Sequence, residues 1–165
     1  MRVKRQWKLS GLALLVGLSA CGGDGSAAGR DGVVVGGVAG GELTAEQLEL
    51  GVGPVRRVTL GEVETELAER GQGVFSLKCA ACHKLDERYV GPPLGDVLER
   101  RTPEFVMNMM LNPAEMVEKH PAMRELLAQY MTPMPNQGLT EADARAVLEY
   151  LRSVTQGGAT ETGER

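Results

Sequence analysis

The run Cys79-Ala80-Ala81-Cys82-His83 constrains this chain more than any other stretch. Two thiols three positions apart, followed at once by a histidine, form the attachment signature of c-type haem. The thiols can add to the two vinyl groups of one porphyrin, and the histidine is then placed to reach the iron as proximal ligand. A fold built on this run must wrap a flat apolar cofactor. The chain has three cysteines and two histidines in 165 residues, and the run uses two of the first and one of the second. Two other uses of these residues are a thiol redox pair and half of a zinc site. A redox pair usually opens a helix after a strand in an α/β domain, and no such pattern precedes Cys79. Zinc would need two further ligands, with only His83, His120 or carboxylates to draw on.

Aromatic residues make up 4% of the chain, which is thin for a core that must form unaided. A bound macrocycle would supply the missing bulk, as cofactors do for many small domains. With 42% hydrophobic and 24% charged residues the chain as a whole is not a disordered tail. The formal charge is −4 and no basic stripe is present, which argues against nucleic acid as a partner.

The third cysteine belongs to a different signal. Arg2, Lys4, Arg5 and Lys8 form a positive start, residues 9–18 form a short apolar run, and Ser19 and Ala20 are small. The run is shorter than the ~20 apolar residues that span a bilayer. Leu18-Ser19-Ala20-Cys21 resembles the lipobox of bacterial lipoproteins, where cleavage leaves a diacylated cysteine as first residue; the alternative is an ordinary secretory signal beside a chance cysteine. Both readings export the chain, and bacterial haem attachment of this kind also occurs outside the cytoplasm. Residues 1–20 are therefore expected to be a lipoprotein signal and Cys21 the lipidation site. Their loss leaves fourteen basic against twenty-two acidic residues, a net −8. An acidic carrier is steered toward a partner with a positive docking patch.

Residues 21–61 read as a Gly-rich linker and short N-terminal extension. Nine of the twenty residues 22–41 are glycine, a composition that gives a flexible coil spanning on the order of 25 Å. Thr44-Ala45-Glu46-Gln47 suits the cap of one short helical turn ending at Gly51, and residues 55–61 read as an extended piece laid on the domain. A globular part is expected over residues 62–155, with residues 156–165 as a disordered tail. Its first helix is expected over residues 62–78, with Val63, Leu67, Val74 and Leu77 at helical spacing. Gly71 and Gly73 inside it are costly unless close packing needs them. Thr102-Pro103 starts a helix that runs to Leu111, Asn112-Pro113 starts another, and Pro121 starts a third. Thr140 to Asp143 is a capping-box start, followed by the apolar stripe Ala144, Val147, Leu148, Leu151, Val154. With no credible strand pair, the class is all-α.

From Gly71 to Leu151 the chain resembles a class I mono-haem cytochrome c. Gly71 stands eight residues and Phe75 four residues before Cys79, Tyr150-Leu151 lies near the end of the last helix, and Gly91-Pro92-Pro93-Leu94 follows the haem motif. The resemblance implies N- and C-terminal helices crossing closely at Gly71 around a covalently bound haem, with extra short helices between them. It implies that the Pro92 carbonyl accepts the proton of the far His83 nitrogen, with Leu94 also at the cofactor. It implies a ligand methionine in the loop before the last helix. Met134, held between Pro133 and Pro135, is the choice for sixth iron ligand; Met131 is the runner-up. His120 would make a bis-histidine site, but a histidine before a proline more often lies on the surface. Met107, Met109, Met110, Met116 and Met123 read as flexible core filler, some of them touching the porphyrin. Lys78 and Lys84 read as solvated charges flanking the motif.

The resulting expectation is a lipid-anchored electron carrier on the periplasmic side. It is not an enzyme, and it would pass single electrons from a quinol-oxidising complex to a terminal reductase or oxidase. The alternative is a gas-binding or sensing haem protein, or a small peroxidase, with an open or displaceable sixth position. Residues 102–130 exceed what a minimal cytochrome needs, either to meet a partner or to cover the haem.

Overall fold

A computed structural model describes residues 42–161 of the chain. The expected signal segment, Cys21, the linker 22–41 and the end of the tail at 162–165 lie outside the described residues. Seven helices follow in order: α1 (Ala45–Leu50), α2 (Thr65–Lys78), α3 (Val97–Arg100), α4 (Pro103–Leu111), α5 (Pro113–Lys119), α6 (Pro121–Tyr130) and α7 (Glu141–Glu161). Among the described residues there is no strand, so the fold is all-α.

Local chemistry explains where these helices start. Thr44 accepts from the Gln47 amide and the Gln47 side chain accepts from the Thr44 amide, closing a capping box on α1. At α7 the Thr140 hydroxyl accepts from the Asp143 amide while the Asp143 carboxylate accepts from the Thr140 amide. Pro103, Pro113 and Pro121 each open a helix at its first turn, where a missing N–H costs nothing. Those three prolines cut the insert between α3 and α7 into short helices. The four-residue α3 carries no strong sequence signal.

α2 and α7 form the frame. α7 buries Ala144, Val147, Leu148 and Leu151, as its stripe requires, and burying each leucine contributes roughly 2–3 kcal/mol. α2 departs from expectation. It begins at Thr65 rather than Glu62 and buries Ala68, Gly71 and Phe75, whereas Leu77 is 84% exposed. The inward face is the one whose small residues let two backbones meet. A Cβ on Gly71 would lie 1.9 Å from the Ala146 carbonyl oxygen, while one on Gly73 would touch nothing within 4 Å. Phe75 packs on Tyr150 with ring centroids 5.3 Å apart. α7 also overruns the expected end at residue 155 and continues to Glu161. Thr155 ties it to the body by donating to the Gly95 carbonyl, at 2.9 Å.

The buried side chains fall into two clusters. One joins α2, α4 and α7 through Phe75, Val106, Met107, Met110 and Leu148. The other joins Val52 of the N-terminal extension to Phe105, Met116 and Met123 of α4–α6. The insert therefore has a partner inside its own chain. Residues 43–61, α1 and the irregular stretch after it, form a strap across the insert, and its main chain is gripped by side chains. The last carbonyls of α1 have no helical partner of their own. The Leu48 carbonyl accepts from His120, that of Glu49 from Thr102, and that of Leu50 from Asn108. Asn108, 1% exposed, also exchanges two bonds with Val55, at 2.9 and 2.8 Å. Farther along, Glu104 accepts from the Val58 amide, and Arg145 and Arg152 donate to the carbonyls of Thr59 and Gly61. Both arginines pair with Glu149, which is fully buried on α7.

Candidate functional site

The haem motif grows directly out of α2. The Cys79 and Ala80 amides donate to the Phe75 carbonyl, and those of Cys82 and His83 donate to Cys79, so one more helical turn follows the last residue of α2. This turn buries Cys79 and leaves Cys82 and His83 half-buried. Before modification, burial and then the neighbouring Cys82 push the Cys79 thiol above its ordinary value.

The next segment folds back to hold the histidine. The Gly91 amide donates to the Cys82 carbonyl at 2.8 Å, and Leu94 and Gly95 donate to Lys84 and Leu85. This return presents the Pro92 carbonyl to His83 Nδ1 at 2.9 Å. A carbonyl only accepts, so Nδ1 carries the proton and Nε2 keeps its lone pair free for a metal. Gly91 packs against the ring itself. A Cβ there would lie 2.5 Å from His83 Cε1, so any side chain would displace the imidazole.

Cys79, Cys82 and His83 open onto a cavity of about 510 Å³, within the roughly 300–1,000 Å³ usual for cofactor sites. Pro92, Leu94 and Met134 also line it, as do Met109, Met110 and Met123 from the insert. The rest of the wall is mostly apolar, with Lys78, Arg100, Arg101 and Glu125 as its charged residues, Arg100 being paired with Asp96. A macrocycle with an apolar body and two acidic groups matches that lining. Two thiols and an imidazole with a fixed tautomer stand at one wall, and Gly91 leaves room for that ring. These residues fit a haem.

The sixth-ligand candidates separate by position. Met134 lines the cavity, and Met131 does not. Met131 is 80% exposed and closes α6 in the left-handed region, at φ 55°, its amide donating to the Leu127 carbonyl. His120 is also outside the cavity lining, and the expectation that it lies on the surface is wrong. It is 3% exposed, bonds the Leu48 carbonyl through Nε2 at 3.0 Å and sets its ring edge-on to Phe105. Its burial follows from the strap, which could not be placed by local pattern. Lys84 is not simply solvated, because its ammonium lies 5.0 Å from the centre of the Tyr89 ring.

Sequence reasoning missed Arg101, which lines the cavity and lies over the Phe105 ring, and Tyr130 and Gln137 on the same lining. It also missed Asn108 and the Arg145–Glu149–Arg152 cluster. Asn108 did leave a signal, as the one polar residue between Phe105 and Leu111 in an otherwise apolar run. Among the described residues no group of three or more His, Cys, Asp or Glu side chains gathers to hold a metal.

An all-α domain with two cysteines and a histidine at one wall of an apolar cavity defines a mono-haem c-type protein. The cytochrome c family model matches residues 68–155, and the chain belongs to the cytochrome c family. It therefore carries haem c, with iron, attached covalently. The solved cytochrome c from Rhodothermus marinus is 48% identical, over 68% of this chain and 97% of that one, with a TM-score of 0.65. An engineered form of it, Rma TDE, is 47% identical over 67% of this chain and 97% of its own, with a TM-score of 0.64. The same engineered protein bound to a carbene intermediate, 1-ethoxy-1-oxopropan-2-ylidene, is 47% identical over the same shares, with a TM-score of 0.62. Comparison with curated proteins gives no significant match.

Proposed function

We propose that the chain is a lipid-anchored carrier of single electrons on the periplasmic side of a bacterial membrane. The family consists generally of electron-transfer proteins. The observation that carries the finer reading is the pair of protein ligands available to one cavity: His83, with Nε2 left free by its bond to Pro92, and Met134 on the same lining. Haem, when bound, would supply an iron that takes up and releases one electron, and ligation by a methionine sulfur together with histidine would favour its ferrous state. Cys79 and Cys82 would hold the cofactor covalently. Pro92 and Gly91 orient the imidazole, and Leu94 and the insert methionines keep water from the ring faces. Arg101, which has no carboxylate partner among the described residues, would supply counter-charge for the acidic groups, with Lys78 and Arg100 also on the lining.

If His83 and Met134 both took the iron, no site would remain for substrate, which favours electron transfer over gas binding or peroxidase chemistry. The anchor rests on Cys21 and the segment before it. No helix among the described residues is long and apolar enough to cross a membrane. The partners would be a quinol-oxidising complex as donor and a terminal reductase or oxidase as acceptor. Each would dock briefly through a small interface and present positive charge to this acidic chain.

Optical spectra of the purified holoprotein through a redox titration test the site. Six-coordinate low-spin spectra in both oxidation states are expected, and Met134→Ala should leave a five-coordinate iron that binds carbon monoxide. A wild-type protein that is already five-coordinate at rest would favour the sensor or peroxidase reading. Cys21→Ser should release the protein from membranes; continued membrane association would remove the anchor.

A further inference from the structure

The cavity is bounded by two segments far apart in sequence. One is the loop after His83, whose Val90, Gly91 and Pro92 reach the lining. The other is the end of α6 and the stretch onward to Met134, with Gln129, Tyr130 and Pro133 on the same lining. Among the described residues, one side chain carries the hydrogen bonding between them. Arg88 Nη2 donates to the Gln129 carbonyl at 2.9 Å, and its guanidinium lies 4.2 Å from the centre of the Tyr130 ring.

The target of that bond is informative. The carbonyl of Gln129 belongs to the last turn of α6, where carbonyls lack helical partners and positive charge is favourable. α6 has no basic residue in its own last turn. It then ends on Met131 in a left-handed conformation that a residue with a Cβ adopts at a cost. A helix end strained at Met131, with the Gln129 carbonyl lacking a helical partner, thus leads into the segment that carries Met134, and the donor for that carbonyl comes from the loop that supports His83. Among the described residues Arg88 has no carboxylate partner within ion-pair distance, and its contacts are on that helix end.

We propose that Arg88 is a positioning residue that ties the Met134 segment to the His83 loop and so sets how readily the sixth position opens. This rests on the reading of Met134 as ligand. One hydrogen bond and one exposed cation–π contact are each modest, and together they support an effect of about tenfold. Arginine suits the role because its planar fork can donate and lie over a ring at once.

The experiment compares holoproteins: wild type, Arg88→Ala, Arg88→Lys, Met134→Ala and Arg70→Ala. Arg70 makes an exposed ion pair with Asp143 away from the cavity lining, so its variant controls for a lost surface arginine. The readouts are the sulfur-to-ferric-iron charge-transfer band as pH rises and the rate of carbon monoxide binding to the ferrous protein. Met134→Ala should lack the band at every pH. Arg88→Ala should keep the band at neutral pH, lose it at lower pH than wild type, and bind carbon monoxide about tenfold faster. Arg88→Lys should fall between the two, and Arg70→Ala should match wild type. If Met134→Ala lacks the band while Arg88→Ala behaves as wild type, the ligand stands and the clasp is overturned. Equal acceleration in Arg70→Ala overturns it as well, as a general loosening. A band that survives in Met134→Ala overturns the ligand reading, and the clasp falls with it.

Discussion

The α2–α7 crossing and the strap on α4–α6 hold the molecule together by opposite means. At the crossing, backbone meets backbone, and the Ala146 carbonyl occupies the space where a side chain on Gly71 would stand. At the strap, side chains of Asn108, His120, Thr102, Arg145 and Arg152 reach out to main-chain groups. The first contact tolerates no added atoms. The second is most sensitive to lost polar groups at Asn108, whose deletion strands the buried amide and carbonyl of Val55. Close packing and polar capture therefore fail under different substitutions.

The largest expected effect lies on the strap side. Glu149→Ala leaves two partly buried arginines without their carboxylate, and stability should fall by about 3–5 kcal/mol in a denaturant titration. Replacing Arg145, Glu149 and Arg152 together with apolar residues should cost far less, since no charge is then left unpaired. If the triple variant is the worse of the two, the ion cluster is not the reason. At the crossing, Gly71→Ala should cost about 3 kcal/mol by overpacking, and a melting temperature close to wild type would show that the two helices can part cheaply. Asn108→Ala comes next, at about 2 kcal/mol. Its loss should speed amide exchange over residues 50–58 more than in α7, whereas uniform acceleration would mean that the strap does not move independently.

Gly73→Ala has the opposite sign. With open space at its Cβ position, it should stabilise by about 0.5–1 kcal/mol. The two glycines, a single residue between them on α2, then isolate packing from propensity. The smallest effect is electrostatic. The Thr140 hydroxyl, then Arg70 and the Thr140 amide, hold the Asp143 carboxyl below its ordinary value. A carboxyl lowered by folding stabilises the native state near neutral pH, and that contribution fades as pH falls through and below the usual carboxylate range. Asp143→Asn should therefore flatten the acid side of the stability profile slightly, and an unchanged profile would show the pair contributes nothing.

Much of the site could be read from residues alone because its chemistry is contiguous. Cys79, Cys82 and His83 lie within one helical turn, and Pro92 returns to His83 after a loop of eight residues. The capping boxes at Thr44 and Thr140 are equally local, and so are the prolines that open α4, α5 and α6. The α2 face was harder to read. Ala68 and Gly71 bury little apolar area, so periodicity favoured Leu77, which points to solvent. His120 was misread because its partner is a carbonyl seventy-two residues away. Arg88, which grips Gln129 across the cavity mouth, was not singled out at all, since an exposed arginine in a charged loop carries no distinguishing pattern.

By itself the sequence determined the helical class and the haem attachment, written in spacings of a few residues and in the resemblance they carry. Tertiary structure alone decided that His120 is buried under the strap, bonded to the Leu48 carbonyl, rather than exposed. It also decided that the insert grips an N-terminal strap, with Asn108 taking both main-chain groups of Val55. The physical reason is that those outcomes depend on main-chain atoms brought together from distant positions. Main-chain atoms are the same for nearly every residue type, so a string of side chains does not record which of them will meet.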